Sequence, residues 1–230
     1  APPDVKTPEN ASDDLIAVAE EMAVASKSAP APEGLETVAN KVAQNTNLTS
    51  SDTSVKNALE KANIDTANKT VTIVVQPYLA VEVVDCVQEG AEAKLELNIT
   101  PMYNTVATTA ENPTTASSIV IGTNAAVVGS AKTMTVTTPV TITIPLPDGF
   151  ATENLKVQHT KSNGSVYYYQ AAIEGETSKT AAFTVTHGFS KFVLKADNRT
   201  ATVTFKNGET IVAENQSFTS LNVGDTLPTA

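Results

Sequence analysis

Near residue 66 the chain changes rhythm, and few folds can accommodate the change. From Thr70 onward apolar residues recur at every second position. Val71, Ile73 and Val75 alternate with Thr72, Val74 and Gln76, and Leu95, Leu97 and Ile99 alternate with Lys94, Glu96 and Asn98. A period of two marks strands with one buried face. Before that point the period is three to four, which marks helices.

Three helices are predicted in the first part. Ser12 followed by Asp13 and Asp14 offers a hydroxyl cap and acids at the positive end of the helix dipole. This helix should run to about Ser26, with Leu15, Ala19, Met22 and Ala23 on one side, before Pro30 and Pro32 break it. The second carries Leu35, Val38, Ala39, Val42 and Ala43. The third carries Val55, Ala58, Leu59 and Ala62, is capped by Ser51 or Asp52, and stops at Asn63. Stripes this narrow and alanine-rich suit helices lying flat on a neighbour.

The strands follow. Pro77 should end the first or kink it at an edge. Leu79–Val87 is nearly continuous in apolar residues, which predicts burial on both faces. Ser118–Val128 reads as two short strands around Gly122. Lys132–Leu146 is a long strand with a break at Pro139, and Asp148-Gly149 is a turn. A hairpin spans Leu155–Ile173 about Ser162-Asn163-Gly164, and Ala181–Val185 and Phe189–Lys195 add two strands. After Asp197 a new unit begins, with Asn207-Gly208 as a hairpin turn between Ala201–Phe205 and Thr210–Ala213. The expected fold is α+β and mainly β. A helical segment (1–66) packs on an antiparallel β-sandwich (67–197), and an incomplete β-grasp-like hairpin follows (198–230).

Composition narrows the function classes. Charged residues make up 17% of the 230, hydrophobic residues 41%, and the net charge is −10. Such a surface repels nucleic-acid phosphates and anionic lipid, so neither is an expected partner. No run of about 18 apolar residues exists to insert into a membrane. Cys86 is the sole cysteine, so no internal disulfide forms. A threonine-rich, charge-poor, nearly cysteine-free chain fits an exported bacterial protein. Ala1-Pro2-Pro3-Asp4 has neither the basic start nor the apolar core of a signal peptide, and the chain reads as a piece of a longer precursor.

Two stretches carry a resemblance. Val140-Thr141-Ile142-Thr143-Ile144-Pro145-Leu146-Pro147-Asp148-Gly149-Phe150 is followed by Val157-Gln158-His159 and, later, by Phe183–Leu194. Together they resemble a β-sandwich module of large multi-domain surface proteins of Gram-positive bacteria (Firmicutes), with Gly188 inserted between His187 and Phe189. The tail, with Val203-Thr204-Phe205, Asn207-Gly208, Gly224 and Leu227-Pro228, resembles the first half of a Listeria–Bacteroides repeat of the internalin B-repeat kind. The resemblance implies a cell-surface or cell-wall location, repeated neighbouring modules in the same chain, and a role as spacer or adhesin rather than catalyst. Its partners would be host or cell-wall proteins or glycans. Leu227-Pro228-Thr229-Ala230 lacks the glycine and apolar tail of a sortase signal.

Reactive residues are sparse. A nucleophile would have to be Cys86 with His159 or His187, but Cys86 reads better as a small core residue. No zinc spacing occurs, and Asp13-Asp14 or Asp197-Asn198 could at most contribute to a calcium site. No cofactor is expected. Lys94, Lys132 and Lys191 raise the question of an isopeptide cross-link, which needs a buried, neutral amine, yet they fall on polar phases. Asn47, Asn98 and Asn198 head sequons that carry no glycan in a bacterial protein. Tyr167, Tyr168 and Tyr169 are the candidate ligand-binding residues. Alternation sends Tyr168 to one face and its neighbours to the other, where the N-terminal helices would cover them. Exposed tyrosines stack on sugar rings, so the alternative function is a carbohydrate-binding appendage of a secreted enzyme.

Overall fold

A computed structural model describes residues 3–27, 32, 34–44, 46–89, 92–111, 113, 118–176 and 178–197, and the backbone of 200–207 and 210–219. Its elements in chain order are β1 (Asp4–Lys6), α1 (Asp13–Ser26), α2 (Leu35–Gln44), α3 (Thr53–Lys61), β2 (Thr72–Glu89), β3 (Glu92–Thr108), β4 (Ala125–Val127), β5 (Lys132–Thr133), β6 (Val140–Pro145), β7 (Lys156–Thr160), β8 (Val166–Gln170), β9 (Ala172–Glu174), β10 (Thr180–Val185), β11 (Lys191–Asp197), β12 (Thr200–Asn207) and β13 (Thr210–Thr219).

The spine is the long antiparallel hairpin β2–β3, whose register runs from Thr72↔Thr108 to Glu89↔Glu92. Its inward residues Leu79, Val81, Val83, Leu95, Leu97 and Ile99 are buried. The large sheet has the order β1-β2-β3-β11-β7-β8, with β4 and β5 also on β3. A smaller sheet, β6-β10-β9, supplies Val140, Ile142, Ile144, Ala181 and Phe183 to the same core. The protein is α+β and mainly β, as its periodicities imply. The large sheet is mixed, however, because β1 joins β2 in parallel.

The helices form where expected. Ser12 caps α1 by accepting from the Leu15 amide at 3.3 Å. At the end of α3, Asn63 takes a φ of 54°. The Ile64 amide then bonds to the Leu59 carbonyl at 2.9 Å and the Asn63 amide to that of Glu60 at 3.0 Å. Those two bonds make a Schellman motif, and Leu59 and Ile64 share one apolar cluster beneath it. Ala19 and Met22 of α1 and Leu35 and Ala39 of α2 join the main core, so the first two helices complete it rather than fold beside it. Helix α3 packs in a second cluster with Ala107, Ala126 and Val128. Gly34 stands where a Cβ would meet the Pro139 carbonyl oxygen at 2.8 Å, with φ +90°, so only glycine fits the approach of α2 to β6.

Several expectations need correction. The first segment is not wholly helical, since it contributes β1. Strand β2 passes through Pro77 without ending. The apolar run Leu79–Val87 is not buried on both faces. Ala80, Glu82 and Val84 are half-buried, and a bulge between Val83 and Asp85 switches the phase. Before the bulge odd-numbered residues face inward, and after it Cys86 does, opposite the buried Leu95. Ser118–Val128 contains one strand, β4, with a single bridge at Ile121. The Lys132–Leu146 segment divides between two sheets, with Met134 and Val136 buried in the stretch between. The terminal hairpin forms as β12–β13, while Gly208, Gly224 and Leu227-Pro228 lie outside the described residues.

Burial phase sets the energetics. Replacing Leu97, which is fully buried, by Ala should cost about 2–5 kcal/mol in chemical denaturation. The same change at exposed Thr100 should stay within about 0.5 kcal/mol.

Candidate functional site

The two histidines converge with the tyrosine run at the β7–β8 end of the large sheet. His159 on β7 stands opposite Phe192 of β11 and Tyr167 of β8. Its ring is fully buried and lies 4.4 Å from that of Phe192, nearly parallel at 6°. Tyr169, on the inward phase of β8, packs against His159, Phe192 and, across the core, Phe183 of β10. Tyr167 stacks on exposed His187 at 3.7 Å. The tyrosines on that face are thus covered by histidines and by the second sheet, not by the N-terminal helices as expected. Only Tyr168 projects outward, 57% exposed.

A hydrogen-bond chain links these groups, and its direction can be worked out. Ser190 Oγ lies 2.8 Å from the Thr160 carbonyl oxygen, which can only accept, so the serine proton is committed there. His159 Nε2 lies 2.9 Å from the same Oγ and therefore donates to it. His159 is then the neutral Nε2–H tautomer, with a bare Nδ1 facing the Tyr169 hydroxyl at 3.4 Å. That hydroxyl also lies 3.4 Å from Nδ1 of His187, which pairs with Thr186 Oγ1 at 2.8 Å. A catalytic Ser–His pair needs the opposite polarity, with the serine proton aimed at the ring nitrogen. Nothing in the residue pattern marks this pair, because Ser190 is an ordinary polar residue before a strand.

The Cys–His dyad does not assemble. Cys86 is two strands from β11 and three from β7 in the large sheet, about 14 Å from β7 at ordinary strand spacing. Burial pushes its thiol up, and the Asp85 carboxylate pushes it further the same way, so the reactive thiolate is suppressed. Cys86 borders a cleft of about 540 Å³ lined otherwise by the Pro8–Ser12 loop, α1 and Val84-Asp85.

The lysines are solvated. Lys94 pairs with Asp85 at 2.7 Å and Lys191 with Glu96, each lysine side chain more than a third exposed. The Asp85 hydrogen bond raises the Lys94 pKa, the reverse of what amide formation needs. Lys132 is exposed. Asn98 donates to Glu82 at 2.8 Å. Asp13 and Asp14 occupy the first turn of α1, and Asn198 lies outside the described residues. Among the described residues no group of three or more His, Cys, Asp or Glu side chains could hold a metal ion, and no helix is long and apolar enough to cross a membrane. No family model, curated protein or solved structure matches the chain.

Burial lowers the His159 pKa, with smaller contributions from the charges of Lys161 and His187. The unfolded chain therefore takes up a proton as pH falls through about 6.5, while the folded chain does not. Stability should fall as pH drops below that point, and the loss should level off once the folded ring protonates. Thermal unfolding from pH 8 to pH 5 measures it, and His159→Phe should flatten part of the slope.

Proposed function

We propose that the chain is a non-catalytic module of an extracellular surface protein, serving as a structural spacer or adhesive unit between neighbouring domains. The reading is carried by the polarity of the Ser190–His159 pair. The best-placed nucleophile and base in the described residues are wired to each other and to backbone as a strut, with the serine proton spent on the Thr160 carbonyl. The surface-protein resemblance of Val140–Phe150 and Phe183–Leu194 supports the location. In the fold the first stretch forms β6 and the turn after it, and the second forms β10 and β11, so the matching residues are core strands of both sheets. Antibodies raised against the chain should label intact cells of the organism that makes it, and protease shaving should remove the label. Labelling that appears only after lysis would overturn the location.

A second reading, carbohydrate binding, is favoured by Tyr168, whose outward ring lies beside exposed Val166 on β8. One aromatic face stacked on a sugar is worth on the order of 1 kcal/mol, by analogy with other ring-stacking contacts. On a glycan array, any glycan held this way should bind at least fivefold more weakly to Tyr168→Ala. Binding that survives the substitution unchanged, or no binding at all, removes this reading.

A further inference from the structure

The large sheet ends in two edge strands, β1 and β8, and they are built differently. Strand β1 has three residues, and its Asp4 and Lys6 form an exposed ion pair. Short length and charge are ordinary ways of blunting an edge. Strand β8 reads Val166-Tyr167-Tyr168-Tyr169-Gln170 and carries no charge and no proline. It has no bulge either, since its register with β7 is unbroken from Lys156↔Gln170 to Thr160↔Val166. Its other side takes no strand among the described residues.

The hairpin turn fixes which backbone groups face that side. The Lys161 amide donates to the Ser165 carbonyl at 2.9 Å, so Lys161 and Ser165 are a hydrogen-bonded pair. Along an antiparallel ladder such pairs alternate with non-hydrogen-bonded ones. His159 therefore bonds across to Tyr167, and Val157 to Tyr169, while Val166, Tyr168 and Gln170 do not bond to β7. The Thr160 carbonyl gives the same phase, because it accepts from Ser190 Oγ on the β11 side of β7 and not from Val166. The N–H and C=O of Val166, Tyr168 and Gln170 thus point out from the edge of the sheet. No described residue bonds to them. The side chains of the same three residues are exposed.

We infer that two copies of this chain pair through β8, antiparallel about a two-fold axis at Tyr168. The outward residues are symmetric about Tyr168. An antiparallel copy therefore sets Val166 opposite Gln170 of the second copy, and Tyr168 opposite Tyr168 of the second copy, each as a hydrogen-bonded pair. Every outward N–H and C=O then has a partner. The two phenol rings meet on the exposed face, where cross-strand aromatic pairs are favourable. A neutral strand offers no handle to a charged segment of another protein, and pairing it with itself sets no like charges opposite each other. Pairing β8 with β1 of the next copy would build an open chain of sheets, but β1 offers three residues flanked by an ion pair. The two-fold arrangement closes at two copies, joins their large sheets into one and leaves the blunted β1 at both outer edges. It stands independently of whether the chain is a surface module.

Sedimentation equilibrium of the full chain tests this, together with amide hydrogen exchange followed by NMR. From micromolar to millimolar concentration the average mass should rise from one chain toward two and stop there. Over the same range exchange of the Val166, Tyr168 and Gln170 amides should slow at least tenfold. Tyr168→Lys sets two ammonium groups against each other at the axis. Tyr168→Pro deletes an outward donor while sparing the ladder to β7. Each should weaken self-association at least tenfold, whereas Tyr168→Phe keeps the ring pair and should retain it. The inference fails if the chain stays monomeric at millimolar concentration, if association runs past two copies, or if a dimer forms with the three amides unprotected. It fails equally if the lysine and proline variants fold and associate as the wild type does. The wild-type mass and exchange measurements decide the matter even if neither variant folds.

Discussion

The β2–β3 hairpin is the element on which the other parts are assembled. Its two strands have 18 and 17 residues, about three times an ordinary strand. A pair that long cannot stand in water alone, because its inward apolar face would stay wet. One half of that face is covered by the β6-β10-β9 sheet together with α1 and α2, and the Val106–Thr108 end is served by β4 and α3 in a separate cluster. The helices therefore complete the burial of a sheet that outruns its partner sheet. This explains their narrow, alanine-rich stripes: each has only a short stretch of sheet to close.

What could be read from the sequence, and what could not, divides by physical length scale. Ser12 and Asn63 were legible because caps act within one turn of helix. The alternation of β3 was legible because one face is buried and the other wet. Strand β1 was not, since three residues cannot display a period, and a parallel pair with residues 76 positions away leaves no local turn signal. The Val83/Asp85 bulge was misread for a related reason. An extra residue turns two correctly alternating stretches into one apparently continuous apolar run, which imitates a strand buried on both sides. Pro77 suggests a stop or an edge kink because a proline removes a ladder donor. At Pro77, opposite Tyr103, the missing N–H would have pointed away from β3, so the ladder between the two strands loses no bond.

The tyrosine run shows the same division. Alternation placed Tyr168 apart from Tyr167 and Tyr169, and the structure agrees. What covers the inward pair depends on residues far along the chain: His159 next door on β7, Phe183 on the second sheet, and His187 after β10. The chemistry of this cluster is settled by one backbone carbonyl. Because Thr160 O takes the Ser190 proton, Ser190 must accept from His159, and the imidazole is fixed in one tautomer with its charge excluded by burial. The pair thereby ties the residue before β11 to β7, through the His159 ring and the Thr160 carbonyl.

The same accounting of backbone groups distinguishes the two edges of the spine. Strand β3 is spoken for on both sides: β2 lies along its length, while β11 takes Glu92–Asn98, β5 takes Met102–Tyr103 and β4 takes Val106–Thr108 on the other. Among the described residues, the strand paired along the outer side of β2 is the three-residue β1, at Ala80–Glu82. Edge strands are ordinarily blunted by charge, proline, bulges or brevity. Here β1 is short and its Asp4 and Lys6 form an exposed ion pair, while β2 has its bulge on one side of β1 and Pro77 on the other. Those devices guard the edge near β1 and around Val83–Asp85.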